Sequence, residues 1–259
     1  MIHVEIRGGF SRFADQLTIM TIKKYLVFIF LCCSHFVVKS QTVDEVINGY
    51  IAFIGGEQNW AAVKTMTMAG QYNYGGISFP FISYSKAPNL YKYIVSSNGK
   101  SFTQAYDGKQ GWRIDGFKNE KVKTILKDKQ ATAMANEADV ELESPFIRYR
   151  EKGHTVKLEG IDTTAAQTSY KIKLSRKNGN TDTFYFDSKN FSLIKKKTIS
   201  TNTEMDKAPL DMEYTEYKLT GNIKIPHKIT CTSNGQPILI ITVERIELNL
   251  PMNNSSFKP

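Results

Sequence analysis

From Val43 the chain first reads in the rhythm of a helix. Val43, Val46, Ile47, Tyr50, Ile51 and Ile54 follow i, i+3, i+4, i+7, i+8 and i+11, an apolar stripe along one face. Thr42-Val43-Asp44-Glu45 predicts the helix start as a capping box, in which the Thr hydroxyl and the Glu carboxylate each satisfy an orphaned N–H, and Gly55-Gly56 predicts its end. A short second turn over residues 58–63 carries Trp60 towards a sheet. Over residues 64–117 the period drops to two: Met66, Met68, Tyr72 and Tyr74 share one parity, Ile77, Phe79 and Phe81 alternate with Ser78, Pro80 and Ile82, and Tyr91, Tyr93 and Val95 continue the theme. These are strands with one apolar face. At Asp107-Gly108, between Tyr106 and Trp112, a strong turn signal predicts a hairpin.

The alternation stops between residues 118 and 149. Residues 124–138 predict a helix whose inner face, Leu126, Ala133, Met134 and Ala138, is small and soft. Two readings follow: an ordinary crossover helix over one sheet face, or a movable lid that opens at little cost. After Gly153 the strands return, separated by turn signals such as Lys177-Asn178-Gly179-Asn180, Thr220-Gly221-Asn222 and Asn234-Gly235. That spacing predicts consecutive antiparallel neighbours. There is no repeat of solenoid length and no low-complexity linker, so residues 41–259 are expected to form one domain.

The first forty residues stand apart. Residues 20–40 have a basic lead at Lys23-Lys24, an apolar run over residues 25–33 and small residues ahead of Gln41, the pattern of a secretory signal peptide; an uncleaved anchor is the alternative, against which Ser34, His35 and Lys39 interrupt the run. Residues 1–19 carry no period of their own and read as an over-extended start ahead of Met20. A lipoprotein reading of Cys32-Cys33 is opposed by the bulky Phe30 and Leu31 before them. The remaining 219 residues keep one of the three cysteines, Cys231, and so no internal disulfide; five basic and two acidic residues leave with the first forty, which lowers the formal net charge from +9 to +6. Lysines are spread through the chain, and the run Lys195-Lys196-Lys197 reads as a solvated strand edge rather than a nucleic-acid site.

Candidate catalytic chemistry is sparse. Of the four histidines only His154 and His227 lie beyond residue 40. His227 and Cys231 share a strand face, but four residues of strand span about 13 Å, too far for a Cys-His nucleophilic pair, and two side chains do not make a zinc site. Asp107 and Asp115 flank the hairpin as an acid-base candidate, against the plainer reading that they serve the turn. A hydrolase would require a buried carboxylate or histidine with a polar neighbour in whatever cavity the sheet encloses. No catalytic residue, metal site or cofactor is assigned.

The order of elements resembles the LolA-like superfamily of periplasmic lipoprotein carriers and their outer-membrane relatives. The resemblance rests on the helix end Ala52-Phe53-Ile54-Gly55-Gly56, the first strand over residues 63–70, Ala105-Tyr106-Asp107-Gly108 with Trp112, Glu216-Tyr217-Lys218 leading to Gly221-Asn222-Ile223-Lys224-Ile225-Pro226, and the terminal Phe257-Lys258-Pro259. It implies a mainly β (α+β) fold: one curved, incompletely closed antiparallel sheet, a half-barrel, with helices on the concave face. It also implies a periplasmic, non-enzymatic role in outer-membrane biogenesis, in which lipoprotein acyl chains or another lipid are bound in an apolar cavity and passed between membrane-bound donor and acceptor proteins. A monomer with no nucleic-acid partner is expected. Met66, Met68, Tyr72, Tyr74, Phe79, Phe81, Tyr91, Tyr93 and Trp112 are the expected cavity residues, with Leu126 and Met134 on the lid; the alternative is that the same residues make a filled core. The carriers latch their lid with an arginine near the first strands, which this chain lacks: none occurs between Lys39 and Arg113. An interaction or sensor module on the same fold, without transport, is the competing function.

Overall fold

The computed structural model describes residues 41–164, 167–200 and 207–259; the readings of residues 1–19 and 20–40 lie outside the described residues. Helix α1 (Val43–Phe53) starts where the capping box predicts. Thr42 Oγ1 accepts from the Glu45 N–H at 3.2 Å, and the Glu45 carboxylate accepts from the Thr42 N–H at 2.8 Å. Gly55 and Gly56, both at positive φ, end it. The short helix α2 (Glu57–Ala61) then buries Trp60, whose indole N–H donates to the Ile54 carbonyl at 3.0 Å.

Thirteen described strands form one antiparallel sheet that does not close. In chain order they are β1 (Thr65–Tyr74), β2 (Ile77–Lys86), β3 (Leu90–Ser97), β4 (Lys100–Tyr106), β5 (Gly111–Asp115), β6 (Thr124–Ile125), β7 (Thr155–Thr164), β8 (Gln167–Ser175), β9 (Thr181–Asp187), β10 (Leu193–Ile199), β11 (Pro209–Thr220), β12 (Ile223–Ser233) and β13 (Gln236–Leu248). The order across the sheet is β6-β5-β4-β3-β2-β1-β13-β12-β11-β10-β9-β8-β7, so every sequential pair except β6 and β7 is adjacent, and β1 joins β13. The third helix, α3 (Asp128–Glu141), fills the long connection between β6 and β7.

Two boundaries differ from the expectation. Thr124 and Ile125 pair with Arg113 and Trp112 and so extend the sheet instead of starting the helix, while the helix itself continues past Ala138 to Glu141. The lysine run is not at an edge. β10 pairs with both β9 and β11, Lys195 and Lys197 lie over the Tyr185 ring on the outer face, at 4.6 Å and 5.9 Å, and Lys196 points to the inner face, in register with Phe184 and Met212.

The main core lies where α1 and the segment after α3 cover the inner face of β8, β9 and β12. Val46, Ile47, Tyr50 and Ile54 meet Ile172, Leu174, Phe184, Phe186, Ile223 and Ile225, and Phe146 and Ile147 close the layer. Phe146 stands at its centre, with ring centroids 5.9 Å from Tyr50, 4.8 Å from Phe184 and 5.2 Å from Phe186. Gly49 is required here by contact: a Cβ would lie 2.5 Å from the Phe191 ring, which packs flat against the helix at that point. On the opposite face of the sheet, the C-terminal segment crosses β3 to β5 and seats Phe257 beside Trp112.

Phe146→Ala removes the ring that three aromatic neighbours share. It is expected to cost about 3–5 kcal/mol, read as a lower urea midpoint at unchanged m-value, whereas Thr42→Ala, which removes only the cap, should cost about 1 kcal/mol.

A half-filled concavity as candidate functional site

Alternation within each strand and the cross-strand register decide which side chains face inward. Met66, Ser85, Tyr91 and Tyr106 lie in one row across β1 to β4, and Met68, Ser83, Tyr93 and Gln104 in the next. In the other direction Tyr72, Ile241, Ile229 and Tyr214 stand directly across four neighbouring strands, followed by a row of Tyr74, Leu239, Cys231, Met212, Lys196 and Phe184. All of these side chains share the face against which α1 and α3 pack.

The packing on that face is discontinuous. The α1 core covers β8, β9 and β12. A second, smaller cluster of Tyr91, Leu126, Met134 and Ala138 lies beneath α3, with Tyr93 and Tyr106 at its margin. Between the two clusters Met68, Tyr72, Tyr93, Met212, Tyr214, Ile229, Leu239 and Ile241 remain only half-buried. A sheet packed to ordinary interior density would bury such a row. The middle of the concave face is therefore a solvent-reachable strip with an apolar floor and aromatic walls.

Helix α3 crosses this strip. At one end Met134 sits over Gly111, Tyr91 and Gln104, whose amide donates to the Met134 sulfur at 2.9 Å. At the other, Asn136 Oδ1 accepts from Asn178 in the β8–β9 turn at 2.7 Å, and Asp139 Oδ2 lies 3.5 Å from the Nε2 of the buried His154. Gly111 is needed for the approach, because a Cβ there would press on Leu126 and Met134 at 3.0 Å and 3.3 Å.

The underside of α3 also carries two carboxylates. Glu141 is seven residues, two turns, from the buried Met134 and so lies almost directly in line with it on the helix, with Glu137 one turn before it on the side away from Ala138. Burial raises both carboxyl pKa values. The charge of Glu137 raises Glu141 further, while Lys196 opposes the shift at both. Among the described residues neither carboxylate has a hydrogen-bond or close ion-pair partner. The phenols of Tyr72, Tyr91 and Tyr93 are raised first by burial and then by the two glutamates, and Tyr214 is raised by burial, Tyr50 and Glu141.

Beyond Lys196 a buried Arg176–Asp182 ion pair closes that end of the strip. Burial alone would raise the Asp182 pKa, but Lys196 and Arg176 outweigh it and hold the carboxyl low. Ser83 and Ser85 present buried hydroxyls to the inner face without hydrogen-bond partners among the described residues. No group of three or more His, Cys, Asp or Glu side chains converges as a metal site among the described residues.

Eight of the nine expected cavity residues lie on the inner face. Tyr72 and Tyr93 line the strip; Met66, Phe81 and Tyr91 are buried at its borders, and Met68 and Phe79 are half-buried. Tyr74 is exposed at the β1–β2 tip. Trp112 is the correction. It pairs with Ala105, in the opposite parity to Tyr106 and Tyr91, and its indole N–H donates to the Phe257 carbonyl at 2.7 Å on the outer face, with the Lys123 ammonium 4.5 Å above the ring. The lid residues Leu126 and Met134 are both buried beside Tyr91. Asp107 and Asp115 serve their turns, each accepting from two backbone N–H groups that follow it. The cavity expected to be apolar is mixed, because Glu137, Glu141 and Lys196 face into it. The Met134 to Glu141 spacing holds the signal for the first pair, and it shows only when the helix is extended past Ala138, where the expected helix ends.

No protein-family model matches the chain, and no curated protein matches it in sequence. Solved structures do match its fold. A LolA superfamily protein from Nitrosomonas europaea superposes with a TM-score of 0.56 at 8% identity, covering 85% of this chain and 99% of its own. A DUF1329 family protein from Desulfovibrio piger gives 0.56 at 8% identity over 85% and 98%. A putative outer membrane lipoprotein-sorting protein domain from Vibrio parahaemolyticus gives 0.53 at 11% identity over 82% and 94%. The fold is LolA-like.

A carboxyl with a higher pKa in the folded than in the unfolded chain retains its proton longer when folded. The stability that Glu137 and Glu141 contribute is thus present at low pH and is lost as pH rises from the ordinary value of 4.5 towards about 7 and about 8, respectively. The double substitution Glu137→Gln, Glu141→Gln should raise the melting temperature at about pH 8 and leave it nearly unchanged at about pH 5. Thermal unfolding followed by circular dichroism across that range checks the sign.

Proposed function

We propose that the chain is a non-enzymatic periplasmic carrier, which holds lipoprotein acyl chains or another lipid in the strip between α1 and α3 and passes them towards the outer membrane. The half-filled strip is the observation that carries this reading. Met68, Ile229, Leu239 and Ile241 form an apolar floor that the protein's own side chains leave uncovered, and an alkyl chain laid on it gains about 0.8 kcal/mol for each buried methylene. Met68 and Met212 add thioethers, which adapt to irregular apolar shapes. The lipoprotein-sorting description of the Vibrio domain supports the same direction.

The glutamate pair supplies the buried carboxylates that a hydrolase would need. Catalysis also demands orientation, because a general acid or base must be held within about 3 Å of the group it serves. Glu137 and Glu141 have no side chain to orient them among the described residues, and they project from the same face of one helix. We read them as part of the binding wall. The competing function, an interaction or sensor module without transport, draws support from the same polar groups, since Lys196 and the two glutamates suit a peptide better than a hydrocarbon.

A fluorescent fatty acid titrated into the protein separates these readings. The carrier is expected to bind it, to lose about tenfold or more in affinity when Ile241→Asp places a charge on the strip floor, and to be unaffected by Lys173→Asp on the outer face. Absence of binding, or equal binding by Ile241→Asp, contradicts the carrier.

A further inference from the structure

We propose that loading of apolar cargo in the strip is coupled to proton uptake by Glu137 and Glu141, so that the site accepts cargo with both carboxyls neutral and releases it as they ionise. This rests on the carrier reading and adds its regulation.

The argument begins with position. Glu141 lies two turns from the fully buried Met134 and almost directly in line with it, at the border of the face that Met134, Ala138 (1% exposed) and Leu142 bury against the sheet. Since α3 is held on two flanks, through Met134 on β3 to β5 and through Asn136 and Asp139 on the β8–β9 turn and His154, this face is held over the strip. Any acyl chain lying on Ile229 and Ile241 passes beneath the two carboxyls.

The surrounding groups decide what ionisation costs there. Tyr72 from β1, Tyr91 and Tyr93 from β3, and Tyr214 from β11 face the pair. All are neutral at physiological pH, because burial and the glutamates push their phenols upward. Among the described residues, Lys196 from β10 is the cation that acts on both carboxyls. It also faces Asp182, which Arg176 already pairs. His154 also meets α3, at Asp139, with Lys152 and Arg176 nearby. Lys196 therefore divides its charge between the two glutamates and an already paired Asp182, and the two glutamates one turn apart also repel each other.

In the empty protein, water in the strip solvates whichever carboxylate is ionised. Apolar cargo displaces that water and leaves the charge against hydrocarbon, which is strongly unfavourable, whereas a protonated carboxyl tolerates the same environment. Cargo thus prefers the protonated protein. By reciprocity, bound cargo raises both carboxyl pKa values further, and binding draws protons from solution.

The test uses N-phenyl-1-naphthylamine, an apolar fluorescent probe that stays neutral throughout, with the wild type and the double substitution Glu137→Gln, Glu141→Gln. Wild-type affinity should fall by about tenfold or more between about pH 6 and about pH 9, approaching a tenfold loss per pH unit for each proton taken up. The double variant should bind at every pH with close to the low-pH affinity of the wild type. Calorimetry in two buffers of different ionisation enthalpy should show proton uptake at neutral pH by the wild type alone. Single variants and near-ultraviolet circular dichroism at each pH establish that the fold is retained. Probe binding with a flat pH dependence in the wild type, or the same dependence in the double variant, overturns the coupling and leaves the carrier in place. Failure of both proteins to bind at any pH removes the carrier reading and the coupling with it.

Discussion

The concave face of this sheet is broader than its helices can cover, and the rest of the structure follows from that mismatch. Thirteen strands in one layer present an apolar surface that needs a partner along its whole width. Helix α1, with Phe146 and Ile147 behind it, covers one flank at interior density; α3 reaches the other flank with little more than Met134 and Ala138. The interval between them stays open. In most domains such an interval would be filled by larger side chains, and leaving it half-covered forgoes stability.

Within that interval the sequence departs from the pattern it follows elsewhere. Polar residues alternate outward along most strands, yet Lys196 points inward from the centre of its strand, and Glu137 and Glu141 face the sheet from the underside of α3. Local choices that run against the surrounding fold concentrate where function makes its own demands. The glutamates convert an otherwise apolar trough into one whose hospitality to hydrocarbon depends on their protonation. The buried Arg176–Asp182 pair fixes the charge at the far end and leaves Lys196 to act on the glutamates.

Much of this was legible along the chain, and what was not has a common cause. The capping box at Thr42, the stripe of α1 and the turn at Asp107-Gly108 are local features, and the structure realises them with the expected hydrogen bonds. The inward parity of Met66 to Tyr93 was also readable, since it needs only alternation. The misplacement of Trp112 came from register: Tyr106 pairs with Gly111 across a four-residue loop, which puts Trp112 in the opposite parity, and no local pattern states that pairing. The Lys195-Lys196-Lys197 run suggests an edge for a related reason, because whether a strand is central depends on partners distant in sequence. The carboxylates escaped notice because their environment is made by β1, β3, β10 and β11, which meet around α3 only in the folded chain.

Native mass spectrometry of the protein, purified without detergent from the periplasm of a diderm bacterium and followed by solvent extraction, tests the central claim most directly. If the open strip is a cargo site, the protein carries bound phospholipid or acylated peptide, and Ile241→Asp purifies without it. A clean apo mass for the wild type, with no lipid in the extract, would contradict the account and favour a module whose concave face binds protein.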